Sequence, residues 1–143
     1  MKPSTRITIT AVVAAAIVLV GGYMMILNRA FENMCGNEIL AESISPDRTK
    51  KLVVFQRSCG ATTSFSTQAS LLSPDVKLAD EIGNVFIADT DHGIAPSGAG
   101  GGPELRFQWA GPKDLLLQHH VTARVFKAER HLKDTDVKYE TFR

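Results

Sequence analysis

The residues best suited to chemistry lie in one stretch, Asp89-Thr90-Asp91-His92-Gly93, followed by a glycine-rich run from Ser97 to Pro103. Alternate aspartates ending in glycine have the form of the opening of a calcium loop, in which oxygen ligands converge on a hard cation. The third ligand position holds Gly93, however, and no glutamate follows at the spacing of a bidentate closing ligand. An Asx-rich turn leaving a strand is therefore the expectation, with Asp89, Asp91 and His92 as a loop that could bind a partner. A small metal-dependent enzyme using those three side chains is the alternative. The glycine run could cradle a phosphate through its amides, but a P-loop needs Gly-Lys-Ser/Thr at the start of a helix, and that is absent. It reads as a mobile loop.

Other candidates carry less. His119 and His120 are adjacent, so on a strand they point to opposite faces and cannot share one metal. Hydroxyl residues are dense from Thr62 to Ser70, yet no Gly-x-Ser-x-Gly elbow presents a nucleophile. No residue is assigned as catalytic or metal-ligating, and no cofactor is expected. Cys35 and Cys59, the two cysteines, are each followed by glycine. A lone pair outside the cytoplasm is more often bridged than free, and neither thiol has an adjacent lysine or arginine to lower its pKa. A disulfide closing a loop of this length would stabilise the fold by about 3 kcal/mol in the chain-entropy description.

These residues need elements to hold them. From Ile7 to Leu27 the chain runs without a charge, and a helix of that length, at about 1.5 Å per residue, spans roughly 30 Å, one hydrocarbon core. A cleaved secretory signal would have a shorter apolar region and small residues at the cut, and Asn28-Arg29-Ala30 does not offer them. Nor do Glu32-Asn33-Met34 before Cys35 make a lipobox. Residues 1–29 are thus expected to be a cytoplasmic N-terminus and transmembrane signal anchor, and residues 30–143 an extracytoplasmic domain. Lys2 and Arg6 precede the span, while Arg29 follows it with Glu32 and Glu38 nearby, which sets the N-terminus inside. Ala14, Ala15, Ala16, Gly21 and Gly22 would let the helix pack closely in a larger membrane complex.

The net charge of +1 hides an asymmetry. Lys2, Arg6 and Arg29 stand alone in the first 29 residues, leaving 13 basic residues against 15 acidic ones in the domain. Such a domain lacks the concentrated basic face that nucleic-acid binding requires.

Beyond Ala30 the periodicity is that of strands. Glu38–Ile44 and Lys51–Arg57 flank Ser45-Pro46-Asp47-Arg48-Thr49, predicting a hairpin. Thr63–Leu72 alternates, with Phe65, Thr67, Ala69 and Leu71 on one side and Ser64, Ser66, Gln68 and Ser70 on the other, predicting a strand with one face in water. Asn84–Ala88 predicts a buried strand. Glu104–Trp109 with Asp114–His120, and Val121–Arg130 with Asp136–Phe142, predict two further hairpins. About eight strands and almost no helical periodicity beyond the anchor predict a mostly β chain, with a small all-β sandwich or barrel-like domain.

Cys35-Gly-Asn-Glu38, Ser45-Pro-Asp47, Val54-Phe-Gln-Arg57, Cys59-Gly-Ala-Thr-Thr63, Gly83-Asn-Val-Phe-Ile-Ala-Asp89 and Gly100-Gly-Gly-Pro-Glu104 together resemble a group of small, uncharacterised bacterial membrane-anchored or exported proteins. The resemblance covers most of the domain and implies no activity. Arg48 departs from it, standing where such Ser-Pro-Asp turns often have glycine. A non-enzymatic interaction or envelope-associated module is the expected function, attached to the membrane through Ile7 to Leu27 and open to a protein partner in the envelope.

Overall fold

The computed structural model describes residues 3–32, 35–60 and 63–143. They form two units, the N-terminal helix and a β domain that begins at Cys35. Lys2, which bears on orientation, and Thr62, the first of the hydroxyl cluster, lie outside the described residues.

Helix α1 spans Pro3–Glu32. Pro3 opens it at the position where a missing N–H costs no helical hydrogen bond. Within it, Thr10–Arg29 is long and apolar enough to cross a membrane, with a mean hydropathy of 2.3. Side chains from Thr10 to Ile26 are all exposed. A soluble helix would instead bury an apolar stripe and show water a polar one.

The domain has nine strands among the described residues: β1 (Gly36–Ile44), β2 (Lys51–Ser58), β3 (Ser66–Leu72), β4 (Phe86–Asp89), β5 (Leu105–Trp109), β6 (Asp114–His120), β7 (Arg124–Ala128), β8 (His131–Leu132) and β9 (Thr135–Phe142). They make a five-stranded sheet of order β1-β2-β3-β4-β7 and a four-stranded sheet of order β5-β6-β9-β8. The first sheet is antiparallel throughout, whereas β6 and β9 run parallel in the second. Leu52, Val54, Ala69, Leu71, Val85, Phe86 and Ala88 from the first sheet's side meet Leu115, Leu117 and Val137 from the second. This is the sandwich that the strand pattern predicts.

Three local expectations need correcting. The strand over Thr63–Leu72 begins only at Ser66, and both of its faces are covered, because Thr67 to Leu71 are all buried. Segment 73–84 lies over the face assigned to water. Gly83 N donates to Gln68 Oε1 at 2.7 Å, Asn84 N donates to Ser70 Oγ at 3.2 Å, and the Asn84 amide pairs with both backbone groups of Leu71. Gln68 and Ser70 are polar because they hold a loop, not because they meet solvent. Asn37 of β1 pins the same segment through the carbonyls of Ala79 and Glu81, both at 2.8 Å.

The third hairpin is the second correction. Its turn exists, with Lys133 and Asp134 both left-handed (φ 49° and 57°), the geometry of a two-residue hairpin loop. It joins only β8 to the start of β9. Residues 124–128 instead cross to the first sheet and pair with β4, and β9 settles beside β6. Tyr139 ties this crossover down, its hydroxyl lying 2.8 Å from Glu129 O and 3.1 Å from Val85 O. Burial and the nearby Glu129 carboxylate raise the pKa of that phenol.

Third, the glycine run is packed rather than loose. It lies along the first sheet's inner face, where Thr67 Oγ1 donates to Pro103 O at 2.6 Å. A Cβ on Gly100 would strike the Gln56 side chain, and one on Gly102 would sit 2.6 Å from Thr67 N. The first hairpin's turn is well braced: buried Ser45 accepts from Lys50 N and donates to Asp47, which also accepts from Thr49 N. The Ser45 and Thr49 hydrogen bonds hold the Asp47 carboxyl down at about 2. Arg48, the residue in a glycine's place, has φ +59°.

Three substitutions in the full chain test these readings by denaturant midpoint in detergent. Gly102→Ala should destabilise the domain by about 1–3 kcal/mol through overpacking, whereas Gly36→Ala, which meets open space, should stay within about 0.5 kcal/mol. Arg48→Gly should stabilise it by up to about 1 kcal/mol, by relieving the left-handed cost of a residue with a Cβ.

Candidate functional site

Asp89 ends β4 and faces Ser66 on one side and Arg124 on the other. Beyond it the chain turns tightly: Asp91 N donates to Asp89 Oδ1 at 2.9 Å, Gly93 N to Thr90 Oγ1 at 3.3 Å, and Ala95 N to Thr90 O at 2.9 Å. This is the expected Asx-type turn. Asp91, His92 and Gly93 all take positive φ, at 48°, 58° and 88°. Three consecutive left-handed residues, two with a Cβ, are costly and persist only where the surroundings hold them.

Arg124, at the start of β7, supplies that hold. Its guanidinium binds Asp89 through Nε at 3.1 Å and Nη2 at 2.5 Å, and reaches Asp91 Oδ1 through Nη1 at 3.2 Å. Burial alone would push the Asp89 carboxyl up, but the Arg124 hydrogen bonds and charge outweigh it, and the group titrates below its ordinary value. Both carboxylates thus have a resident cation. His92 is exposed on the same turn, and Ile94 beyond it is 65% exposed.

The remaining candidates do not join this turn. His119 is half-buried with its ring tilted on Phe86, centroids 5.6 Å apart, and its Nδ1 3.0 Å from His120 O. His120 meets Thr122 Oγ1 through Nδ1 at 2.8 Å and packs edge-on to Phe142. The neighbours of the two rings differ, as opposite faces require. Among the described residues, no group of three or more His, Cys, Asp or Glu side chains is placed to hold a metal ion.

Cys35 and Cys59 are bridged. They extend the β1–β2 ladder by one step beyond Gly36↔Ser58. By register, Asn37, Arg57, Ser66, Asp89 and Arg124 follow one another across the sheet at this same end. A cleft of about 250 Å³ lies there too, lined by Arg106, His120, Phe142 and Arg143 among others. Arg106 stacks 3.9 Å above the Phe142 ring and is held by Glu104 through two hydrogen bonds, 2.8 and 3.2 Å long. Neither Arg124 nor Arg106 carries a signal in the sequence, since neither sits in a motif and each takes its role from a partner or strand neighbour.

These elements define a β sandwich behind one membrane-length helix, with a loop-rich end built on arginine–carboxylate pairs. No family model, curated protein or solved structure matches the chain.

Replacing Arg124 by glutamine should leave Asp89 with its burial and without its cation, so its carboxyl should titrate higher than in the unsubstituted chain when followed by NMR. Because the native Asp89 value is lowered, the ion pair stabilises the fold above the ordinary carboxylate range. That contribution is lost as pH falls through the lowered value, and the variant should show a smaller acid-limb loss. An unmoved Asp89 titration would mean that Arg124 does not govern the turn.

Proposed function

We propose that the chain is a single-pass membrane protein with a cytoplasmic N-terminus, whose β domain works outside the cytoplasm as a non-enzymatic interaction module of the bacterial envelope. The observation that carries this reading is the Cys35–Cys59 disulfide, which begins three residues after a helix of membrane length. A disulfide persists in an oxidising compartment, and Lys2 and Arg6 before the apolar span favour export of the segment on its C-terminal side.

An interaction role is supported by the Asp89–Pro103 turn and its neighbours. Asp89 and Asp91 are neutralised by Arg124, which leaves them poorly suited to capture a cation or move a proton. The exposed side chains of the turn, His92 and Ile94, are presented on a backbone fixed by that ion pair and by Thr90. Such a surface suits contact more than catalysis.

Alkaline phosphatase fused after Arg143 should be active in a bacterial host, and the two cysteines should resist maleimide labelling until a reductant is added. An inactive fusion together with freely labelled cysteines would place the domain in the cytoplasm and overturn this reading.

A further inference from the structure

We infer that the free edge of β5 is a self-pairing surface, on which β5 of a second copy of this chain docks antiparallel about Phe107 and joins two four-stranded sheets into one. The inference concerns the β domain alone and holds wherever that domain lies in the cell. The ladder between β5 and β6 fixes which backbone groups are free. Ala110 N donates to Asp114 O at 2.8 Å, which makes that opposed pair a hydrogen-bonded one. Such pairs alternate along an antiparallel ladder, so Gln108 with Leu116 and Arg106 with Gln118 are hydrogen-bonded too. The N–H and C=O groups of Leu105, Phe107 and Trp109 therefore point away from β6, and among the described residues no strand or loop hydrogen-bonds to them.

The other edges of the two sheets are each protected. β1 has a bulge between Ile39 and Ala41, carries Glu38 and Glu42, and has the Asn37 N–H taken by Asp80. β7 has a bulge where its pairing steps from Lys127 to Val125, and β8 is two residues long. Bulges, charges and shortness are what keep a sheet edge from pairing with another chain. β5 instead keeps an unbroken register over five residues. Its charged residue, Arg106, is held by Glu104 and lies over the Phe142 ring of β9, and so leans across β6 away from the edge. Leu105, Phe107 and Trp109 pack on the core but are only half-buried, so a strand added beside them would complete their cover.

A second β5 fits this edge by symmetry. With Phe107 opposite Phe107 of the second copy, Leu105 faces Trp109 and Trp109 faces Leu105, and each pair exchanges both of its free N–H···O bonds. These side chains fall on one face, where apolar cross-strand pairs are favourable. On the other face Arg106 meets Gln108, so no like charges oppose each other. The two-fold closes the assembly: the joined sheet ends on the short β8 at both sides, and growth stops at two copies. An edge of five residues is small beside the roughly 1,200–2,000 Å² of a standard interface, so the pairing is reversible and rises with concentration.

Cysteine pairs read this register in the full chain in detergent, with Cys35–Cys59 left oxidised. Arg106 and Gln108 of the second copy would form a non-hydrogen-bonded pair with Cα atoms about 4.5 Å apart, within the span of a disulfide. Mixing Arg106→Cys chains with Gln108→Cys chains under mild oxidant should therefore crosslink them about tenfold more than mixing Gln108→Cys with Lys138→Cys, which lies on the same outer face but in β9. Phe107→Pro in both chains should abolish the crosslink, because it removes a free N–H and leaves the β5–β6 bonds in place; near-ultraviolet circular dichroism checks that the domain is still folded. Equal crosslinking of the two mixtures overturns the inference, as does a crosslink that survives in folded Phe107→Pro. A chain that sediments as a dimer without the Arg106–Gln108 crosslink overturns it in favour of another contact between copies. One that is monomeric at every concentration overturns it and leaves the edge to an extended segment of another protein.

Discussion

The central strands β2 and β3 have to be dry on both faces, and most of the domain can be understood as the means of achieving that. Leu52 and Val54 look inward to the second sheet, while Val53 and Phe55, equally buried, look the other way. A chain of this size has one further sheet to offer, and it covers one face. The other face is closed by a loop whose backbone would be stranded without partners, and Gln68, Ser70 and Asn84 supply them. Polar atoms inside a protein are tolerated when each is hydrogen-bonded, so a covering loop and a polar strand face come as a pair.

The same demand explains the glycines. Where the second sheet does not reach, the inner face of the first is sealed by main chain from 97 to 103, and only residues without a Cβ can approach Gln56 and Thr67 so closely. The run is a lid made of backbone, which is why its composition imitates that of a flexible linker.

How much of this could be read from the residues alone varied with the range of the interaction. The long apolar helix, the first two hairpins, the disulfide and the two-sheet class rest on local signals, namely charge-free length, turn chemistry and period-two alternation. The third hairpin failed although its turn at Lys133-Asp134 was found, because a turn fixes two strand ends and says nothing of which sheet the preceding strand joins. Thr63–Leu72 failed in a related way: alternation reports that one face is polar, not whether water or a loop meets it. At the candidate site, Asp89, Asp91 and His92 do share one turn. Arg124, which governs the two carboxylates, is 35 residues from Asp89 in sequence and becomes visible only once β4 and β7 are paired.

The position of the disulfide has a mechanical consequence. β1 is an edge strand whose one strand neighbour is β2, and a pull on the chain before Cys35 would otherwise open its ladder one rung at a time, as a zip opens from its end. With Cys35 bound covalently to Cys59, the pull passes instead into β2, which is flanked by strands on both sides, and must shear several rungs at once. A domain pulled through its N-terminal chain is in this way kept from fraying at the point where the pull enters it.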